Sequence, residues 1–202
     1  MTLVDAIGIK RLGRVAYLPT LAAMKDFTSS RSGGTADELW LLEHPPVYTL
    51  GLGAEHAPVA NGIPLVKADR GGDITYHGPG QLVVYTLVDL ARRGIQVRRF
   101  VVLLEQAVID LLAGRGSRRA GAPGVYVDGA KIAALGIRVR QGRAYHGLSL
   151  NIDMDLSPFR AIDPCGYPGL AVTQTRDIGV KETLPVLAER LAVLLVEKIE
   201  NA

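Results

Sequence analysis

Two tight turns fix the middle of this chain. Asp128-Gly129 separates Val125–Val127 from Ala130–Arg140, and Gln141-Gly142 separates that run from Arg143–Asn151. An Asp-Gly pair between two apolar runs suits a two-residue hairpin, whose central residues both need positive φ. Three strands in a row therefore have to lie side by side and antiparallel. Glu38–Glu43 reads as a buried strand stopped by His44-Pro45-Pro46, and Val47–Leu50 as a short one ending at Gly51. Pro64–Ala68 and a strong run over Gln81–Val88 add two more. Helical spacing occurs over Leu21–Ser30 and over Val97–Ala113, where Val97, Val101, Leu104, Val108, Leu111 and Leu112 share a face. It recurs over Lys181–Glu200, with Pro185 confined to the first turn. Strands interrupted by helices give an α+β fold, a mixed, largely antiparallel sheet flanked by helices. The 202 residues, 48% hydrophobic and without a dividing linker, are expected to form one domain over 1–202.

Several classes are set aside by composition. Charged residues are 21% and the net charge is +3, too mild to imply nucleic acid. No apolar run approaches the roughly 18 residues that span a bilayer, and the N-terminus lacks a signal-peptide pattern. A single cysteine excludes an internal disulfide, so a reducing, cytoplasmic setting is expected. No histidine pair has metal-ligand spacing, and no P-loop or Gly-x-Gly-x-x-Gly motif is present. Arginines cluster at 92–93, 98–99, 118–119 and 138/140/143. They are either solvated surface or a docking face for an acidic partner.

The lone cysteine, Cys165, lies in Asp163-Pro164-Cys165-Gly166-Tyr167-Pro168-Gly169, a loop by its proline and glycine content. Two roles are open to it, a small buried hydrophobe or a nucleophile. Lys131 starts the return strand of the first hairpin. Regular alternation puts it with Ala133, Leu135, Ile137 and Val139 on the apolar side, either snorkelling to water or partly desolvated and able to exchange a proton. The same alternation pairs His146 with Leu148 and Leu150. In Ile74-Thr75-Tyr76-His77, Ile74 and Tyr76 fall on one side and Thr75 and His77 on the other.

Taken together, four segments resemble the octanoyltransferases of protein lipoylation. They are Arg70-Gly71-Gly72-Asp73-Ile74-Thr75-Tyr76-His77-Gly78-Pro79-Gly80-Gln81, Gly129-Ala130-Lys131-Ile132-Ala133-Ala134-Leu135-Gly136, His146-Gly147-Leu148-Ser149-Leu150-Asn151 and Pro164-Cys165-Gly166. Glu43 to Gly51 also looks like that family, although Leu52 and Gly53 stand where basic residues would follow. The resemblance implies the fold of the biotin/lipoate protein ligase catalytic domain. It implies transfer of an octanoyl group from octanoyl-acyl carrier protein to a lysine of lipoyl domains, those of 2-oxoacid dehydrogenase complexes and of the glycine cleavage H protein. By position, Cys165 would be the acyl-thioester nucleophile and Lys131 would lower its pKa. Arg70, Gly71, Gly72, Asp73, Ile74, Thr75, Tyr76, His77, Ala134, Leu135, Gly136, Gly147, Leu148 and Ser149 would bind substrate, with no cofactor and no metal.

Overall fold

The computed structural model describes residues 6–54, 61–162 and 169–202. In chain order the strands are β1 (Gly8–Arg14), β2 (Glu38–Glu43), β3 (Val47–Leu50), β4 (Leu65–Lys67), β5 (Ile74–His77), β6 (Gln81–Asp89), β7 (Ser117–Arg118), β8 (Gly124–Val127), β9 (Ala130–Arg140) and β10 (Arg143–Asn151). The helices are α1 (Tyr17–Ser30), α2 (Leu90–Arg93), α3 (Val97–Leu111) and α4 (Leu184–Glu200), with a 3-10 turn over Ser157–Ala161. A seven-stranded sheet runs β1-β2-β6-β10-β9-β8-β7, and a three-stranded sheet runs β4-β3-β5. Among the described residues the β1–β2 and β3–β4 strand pairs are parallel, as is an isolated bridge between Lys131 and Val172. The two predicted hairpins form as read, with Asp128, Gly129, Gln141 and Gly142 all at positive φ.

Every residue of β6 is buried, because helices cover both faces of the large sheet. Leu82, Val84 and Val88 point to α3 and α4, together with Ala144, Leu148 and Leu150 of β10. Val83, Tyr85 and Leu87 point the other way, toward Tyr17, Leu21 and Met24 of α1. The functional cleft opens on this α1 face.

Some expectations are corrected. Helix α4 starts at Leu184 rather than Lys181, with Thr183 extended before it and Pro185 in the first turn. Val97 is 46% exposed at the start of α3, whose buried stripe is centred on Phe100, Leu104 and Val108. Arg92 and Arg93 are not docking surface. Together with Arg31 they close on Asp37, which is wholly buried. Arg93 Nε donates to Asp37 Oδ2 at 2.5 Å and Arg92 Nη2 to Oδ1 at 3.0 Å, alongside Arg31. Burial alone would raise the Asp37 pKa. The hydrogen bonds from Arg31, the Asp89 N–H and Arg93 outweigh it and hold the carboxyl below its usual range. Arg143 is also partly used, facing Asp89 at 3.6 Å, whereas residues 98, 99, 118, 119, 138 and 140 are exposed.

Candidate active site

The site is built around the loop 70–73 between β4 and β5. Arg70 is buried, and its guanidinium is occupied in holding this loop. Nη2 donates to the Thr49 carbonyl at 2.6 Å and to Thr49 Oγ1 at 2.8 Å, while Nη1 donates to the carbonyls of Asp73 at 2.8 Å and Gly71 at 3.0 Å. Gly71 N–H donates across to the Ile137 carbonyl of β9 at 2.9 Å. The approach is close enough that a Cβ on Gly136 would sit 2.9 Å from the Gly71 carbonyl oxygen. Glycine at 136 is therefore what lets the loop lie on the sheet.

Behind the loop is a cleft on the α1 face. Of the residues expected to bind substrate, Arg70, Gly72, Asp73, Ile74, Thr75 and His77 line it, as do Ala134, Leu135, Gly136, Gly147, Leu148 and Ser149. Gly71 lies on the far side of the loop, in a neighbouring groove. Tyr76 points away from the cleft and packs against Tyr48 and Phe159, with both ring centroids at 5.5 Å. Thr75 and His77 are thus the cleft-facing pair of β5. Tyr17, Val83, Tyr85 and His146 complete the wall. Its open volume is 40 Å³, room for only a few waters at about 10–15 Å³ each.

Lys131 reaches this face by a route that alternation does not give. Val125 pairs with Ala133, but the next residue, Tyr126, pairs with Lys131, leaving Ile132 as an extra residue. This β-bulge sends both Ile132 and Ala133 into the core under α3 and α4. Lys131 is thereby turned to the opposite side from Ala133, correcting the parity expectation. It shares a face with Tyr126, Gly124 and Ala134, and Ala134 lines the cleft. Lys131 is 3% exposed. Its Nζ lies 5.4 Å from the centre of the Tyr126 ring, and its side chain crosses directly over Gly124.

His146 makes a second exception. It adopts φ 62° in mid-strand, which swings its ring away from Leu148 and Leu150 and onto Tyr145, with a centroid separation of 5.0 Å. The neighbouring Gly147 has no room for a side chain, since a Cβ there would run into the Val84 carbonyl oxygen. His146 Nε2 faces Asp69 Oδ1 at 3.0 Å, and the Tyr145 hydroxyl donates to Asp69 Oδ2 at 2.6 Å. The His146 hydrogen bond, Tyr145 and Lys25 hold the Asp69 carboxyl well below the usual carboxylate range, against its partial burial. Burial lowers the His146 pKa although Asp69 opposes it. The ring is accordingly neutral at pH 7, with its proton on Nε2.

The other histidines are fixed too. His44 donates Nδ1–H to the Val15 carbonyl at 2.6 Å, so the Tyr85 hydroxyl donates to its Nε2 at 2.7 Å. Burial lowers the His44 pKa. His77 is pulled down to about 3, first by burial and then by His44. A chain of amides sets its tautomer. Asn151 Nδ2 donates to the Thr173 carbonyl at 2.9 Å, and Gln81 Nε2 donates to the Tyr76 carbonyl at 3.2 Å and to Asn151 Oδ1 at 2.9 Å. Both backbone carbonyls can only accept, so both amides have one orientation. Gln81 Oε1 is then the acceptor for His77 Nδ1–H at 2.7 Å. Nε2 is left unprotonated, an acceptor on a ring that lines the cleft. Asp69, Gln81, Asn151 and His44 do their work through other residues, and no local pattern marks them. Gln81 and Asn151 stood within the resembling segments without a role.

Cys165 falls in the stretch 163–168, outside the described residues. On one side of that stretch Ile162 is buried with Tyr48, Tyr76 and Phe159, and Val172 packs on the same cluster from the other side. The returning segment is bonded to Lys131 itself. Lys131 N–H donates to the Ala171 carbonyl at 2.8 Å, and Thr173 N–H to the Lys131 carbonyl at 2.9 Å. Among the described residues no group of three potential metal ligands occurs.

A largely apolar cleft with a few fixed polar atoms, on the sheet face that also carries the buried Lys131, is the arrangement of a small-molecule site. The family model of the lipoyl protein ligase A/B catalytic domain matches residues 16–192, and the chain belongs to that family. It is 67% identical over 177 residues to an octanoyltransferase of Thiobacillus denitrificans, covering 85% of this chain and 81% of the relative. The fold matches a crystal structure of lipoate-protein ligase A bound with ATP, with a TM-score of 0.80 at 16% identity over 97% of this chain and 86% of that one. It also matches the biotin protein ligase of Aquifex aeolicus, with a TM-score of 0.62 at 11% identity over 96% of this chain and 71% of that one. The expected α+β ligase-type fold is therefore the observed one.

Proposed function

We propose that this chain moves an octanoyl group from the thiol of an acyl carrier protein to a specific lysine of a lipoyl domain, with Cys165 as covalent carrier and Lys131 as its activator. The chain is an acyltransferase of protein lipoylation. Its acceptors are the lipoyl domains of 2-oxoacid dehydrogenase complexes and the glycine cleavage H protein. The observation that carries the reading is the Ile132 bulge, which turns a buried lysine onto the cleft face and bonds its backbone to the segment that follows Cys165.

A cysteine with an unperturbed pKa near 8.5 is about 3% thiolate at pH 7, and lowering it by two units makes it about three-quarters thiolate, for roughly 2.7 kcal/mol. A neighbouring ammonium in a partly dry site supplies stabilisation of that order. In the first step the thiolate attacks the donor carbonyl. A bond to Cys165 Sγ forms, the carrier's C–S bond breaks, and the departing thiolate takes a proton from Lys131. In the second step the neutral amine of the acceptor lysine attacks the acyl-enzyme. A C–N bond forms, the bond to Sγ breaks, and the amine's proton returns to Lys131. The octanoyl chain parts the cleft walls and gains about 0.8 kcal/mol per buried methylene, so a chain one carbon shorter loses about fourfold. His77 Nε2 accepts from the attacking amine and orients its lone pair.

The test is intact mass after mixing the protein with octanoyl-carrier and no ATP. A gain of one octanoyl group in the wild type, absent in Cys165→Ser, is expected. A Cys165→Ser enzyme that transfers at a near-normal rate defeats the mechanism.

A further inference from the structure

We infer that the groove on the outer side of the 70–73 loop holds the pantetheine arm of the acyl donor; this inference rests on the acyl-transfer reading above. The groove is bounded by Val101 of α3, Ala122 and Pro123 of the turn before β8, and Leu135 and Ile137 of β9, with Gly71–Asp73 as its rim. Its volume is 540 Å³, within the roughly 300–1,000 Å³ of small-molecule sites. It shares Gly72, Asp73, Leu135 and Gly136 with the cleft as a common wall.

The groove's wall at Pro123 adjoins the residue that the Lys131 side chain crosses. Pro123 is followed by Gly124, over which Lys131 lies so closely that a Cβ on Gly124 would be 2.5 Å from Lys131 Cε and 3.2 Å from Nζ. The group that protonates the departing thiol thus stands against Gly124, next to the groove wall at Pro123. An arm ending in that thiol has to leave from this point. The turn that forms the wall is preset. Gly124 N–H donates to Glu105 Oε1 at 2.9 Å, and the Tyr126 hydroxyl donates to the Ala122 carbonyl at 3.0 Å.

The chemistry of the walls selects among occupants. An octanoyl tail gains most from burial, and most residues lining the cleft are buried. The groove is open to water along Gly121 and Pro123, both exposed. A pantetheine arm alternates methylenes with two amides and carries two methyl groups. It suits apolar walls interrupted by the Asp73 carboxylate and glycine peptide groups. The outer approach is basic: Arg98 lies one helical turn before Val101, and Arg118 and Arg119 precede the turn, all exposed. That charge complements the arm's phosphodiester and an acidic carrier.

The experiment compares two donors, octanoyl-pantetheine and the octanoyl thioester of N-acetylcysteamine, which ends after the first amide. Wild type should prefer octanoyl-pantetheine by about tenfold or more in kcat/KM. Val101→Trp, which fills the groove, should cut that ratio about tenfold. An unchanged ratio overturns the inference. Because the tryptophan variant can misfold, octanoyl-pantetheine carrying a diazirine at its pantoyl end is also photolysed on the wild type. Labelling of peptides containing Val101 or residues 121–123 is expected, and labelling elsewhere overturns the inference. If no thioester acylates the wild type, the acyl-transfer reading itself fails. If acylation proceeds and the ratio does not respond, only the groove assignment fails.

Discussion

Replacing Gln81 with methionine removes the acceptor that fixes the tautomer of His77. In the wild type Gln81 Oε1 takes the Nδ1 proton at 2.7 Å. A buried donor left without a partner costs about 1–3 kcal/mol, so the Nδ1–H form is favoured by a factor of roughly 5 to 150. In Gln81→Met that preference is lost, and the Nε2–H form becomes populated. The cleft then meets a donor where it had an acceptor, and an attacking amine is no longer oriented. Release of the octanoyl group to the acceptor should slow by about tenfold or more, while formation of the acyl-enzyme is spared. Gln81→Glu keeps an acceptor oxygen and should keep the Nδ1–H form. Long-range nitrogen–proton NMR of the imidazole ring reads the tautomer directly, and single-turnover mass spectrometry reads the two half-reactions. His77 remaining Nδ1–H in Gln81→Met, or already Nε2–H in the wild type, refutes the reasoning.

Asp37 offers a test of the fold. Asp37→Asn removes the buried negative charge that Arg31, Arg92 and Arg93 share and should cost about 3–5 kcal/mol in chemical denaturation, roughly 6–20 °C in Tm for a chain of this size. The folded carboxyl titrates below its unfolded value of 3.8, so its contribution is whole above about pH 4 and disappears as the pH falls through the folded value. His77 acts at higher pH. Its folded value of about 3 lies below the unfolded 6.5, so between these the unfolded chain binds a proton that the folded chain does not. Stability therefore falls from pH 6.5 toward pH 3, and His77→Gln should flatten part of that slope in a pH series of denaturation curves. Charge reversal at the exposed Arg138 and Arg140 should slow association with octanoyl-carrier and weaken its salt dependence. A rate unchanged across salt makes these arginines ordinary surface.

The sheet was legible in the sequence wherever hydrophobic pattern and turn chemistry agreed. The two hairpins, the buried β6 and the ELWLLE strand lie where alternation and Asp-Gly or Pro-Pro signals put them. β1 gave no such signal, because it is an exposed edge strand with a register shift between Arg11 and Gly13. Lys131 and His146 were singled out, yet alternation gave each the wrong face. Alternation assumes an unbroken pleat, and the bulge at Ile132 and the left-handed backbone of His146 break it at these two places. Strain and irregularity of this kind gather at functional sites. The family resemblance makes Arg70 a substrate contact. Its hydrogen bonds to Thr49, Gly71 and Asp73 make it the clamp of the loop as well as part of the wall. Partners that act through other residues, such as Asp69 and Gln81, had no local signature, since their meaning depends on contacts between strands far apart in the chain.

The central claim is that Lys131 activates Cys165. The direct measurement is the pH profile of Cys165 alkylation in the wild type, Lys131→Arg and Lys131→Met. The wild type should titrate well below the free-thiol value of about 8.5. Lys131→Met should rise toward it, and Lys131→Arg, which keeps the charge but cannot give up its proton, should stay low while losing transfer. A methionine variant that titrates with the wild type contradicts the account and moves the role to a histidine, His77 or His146.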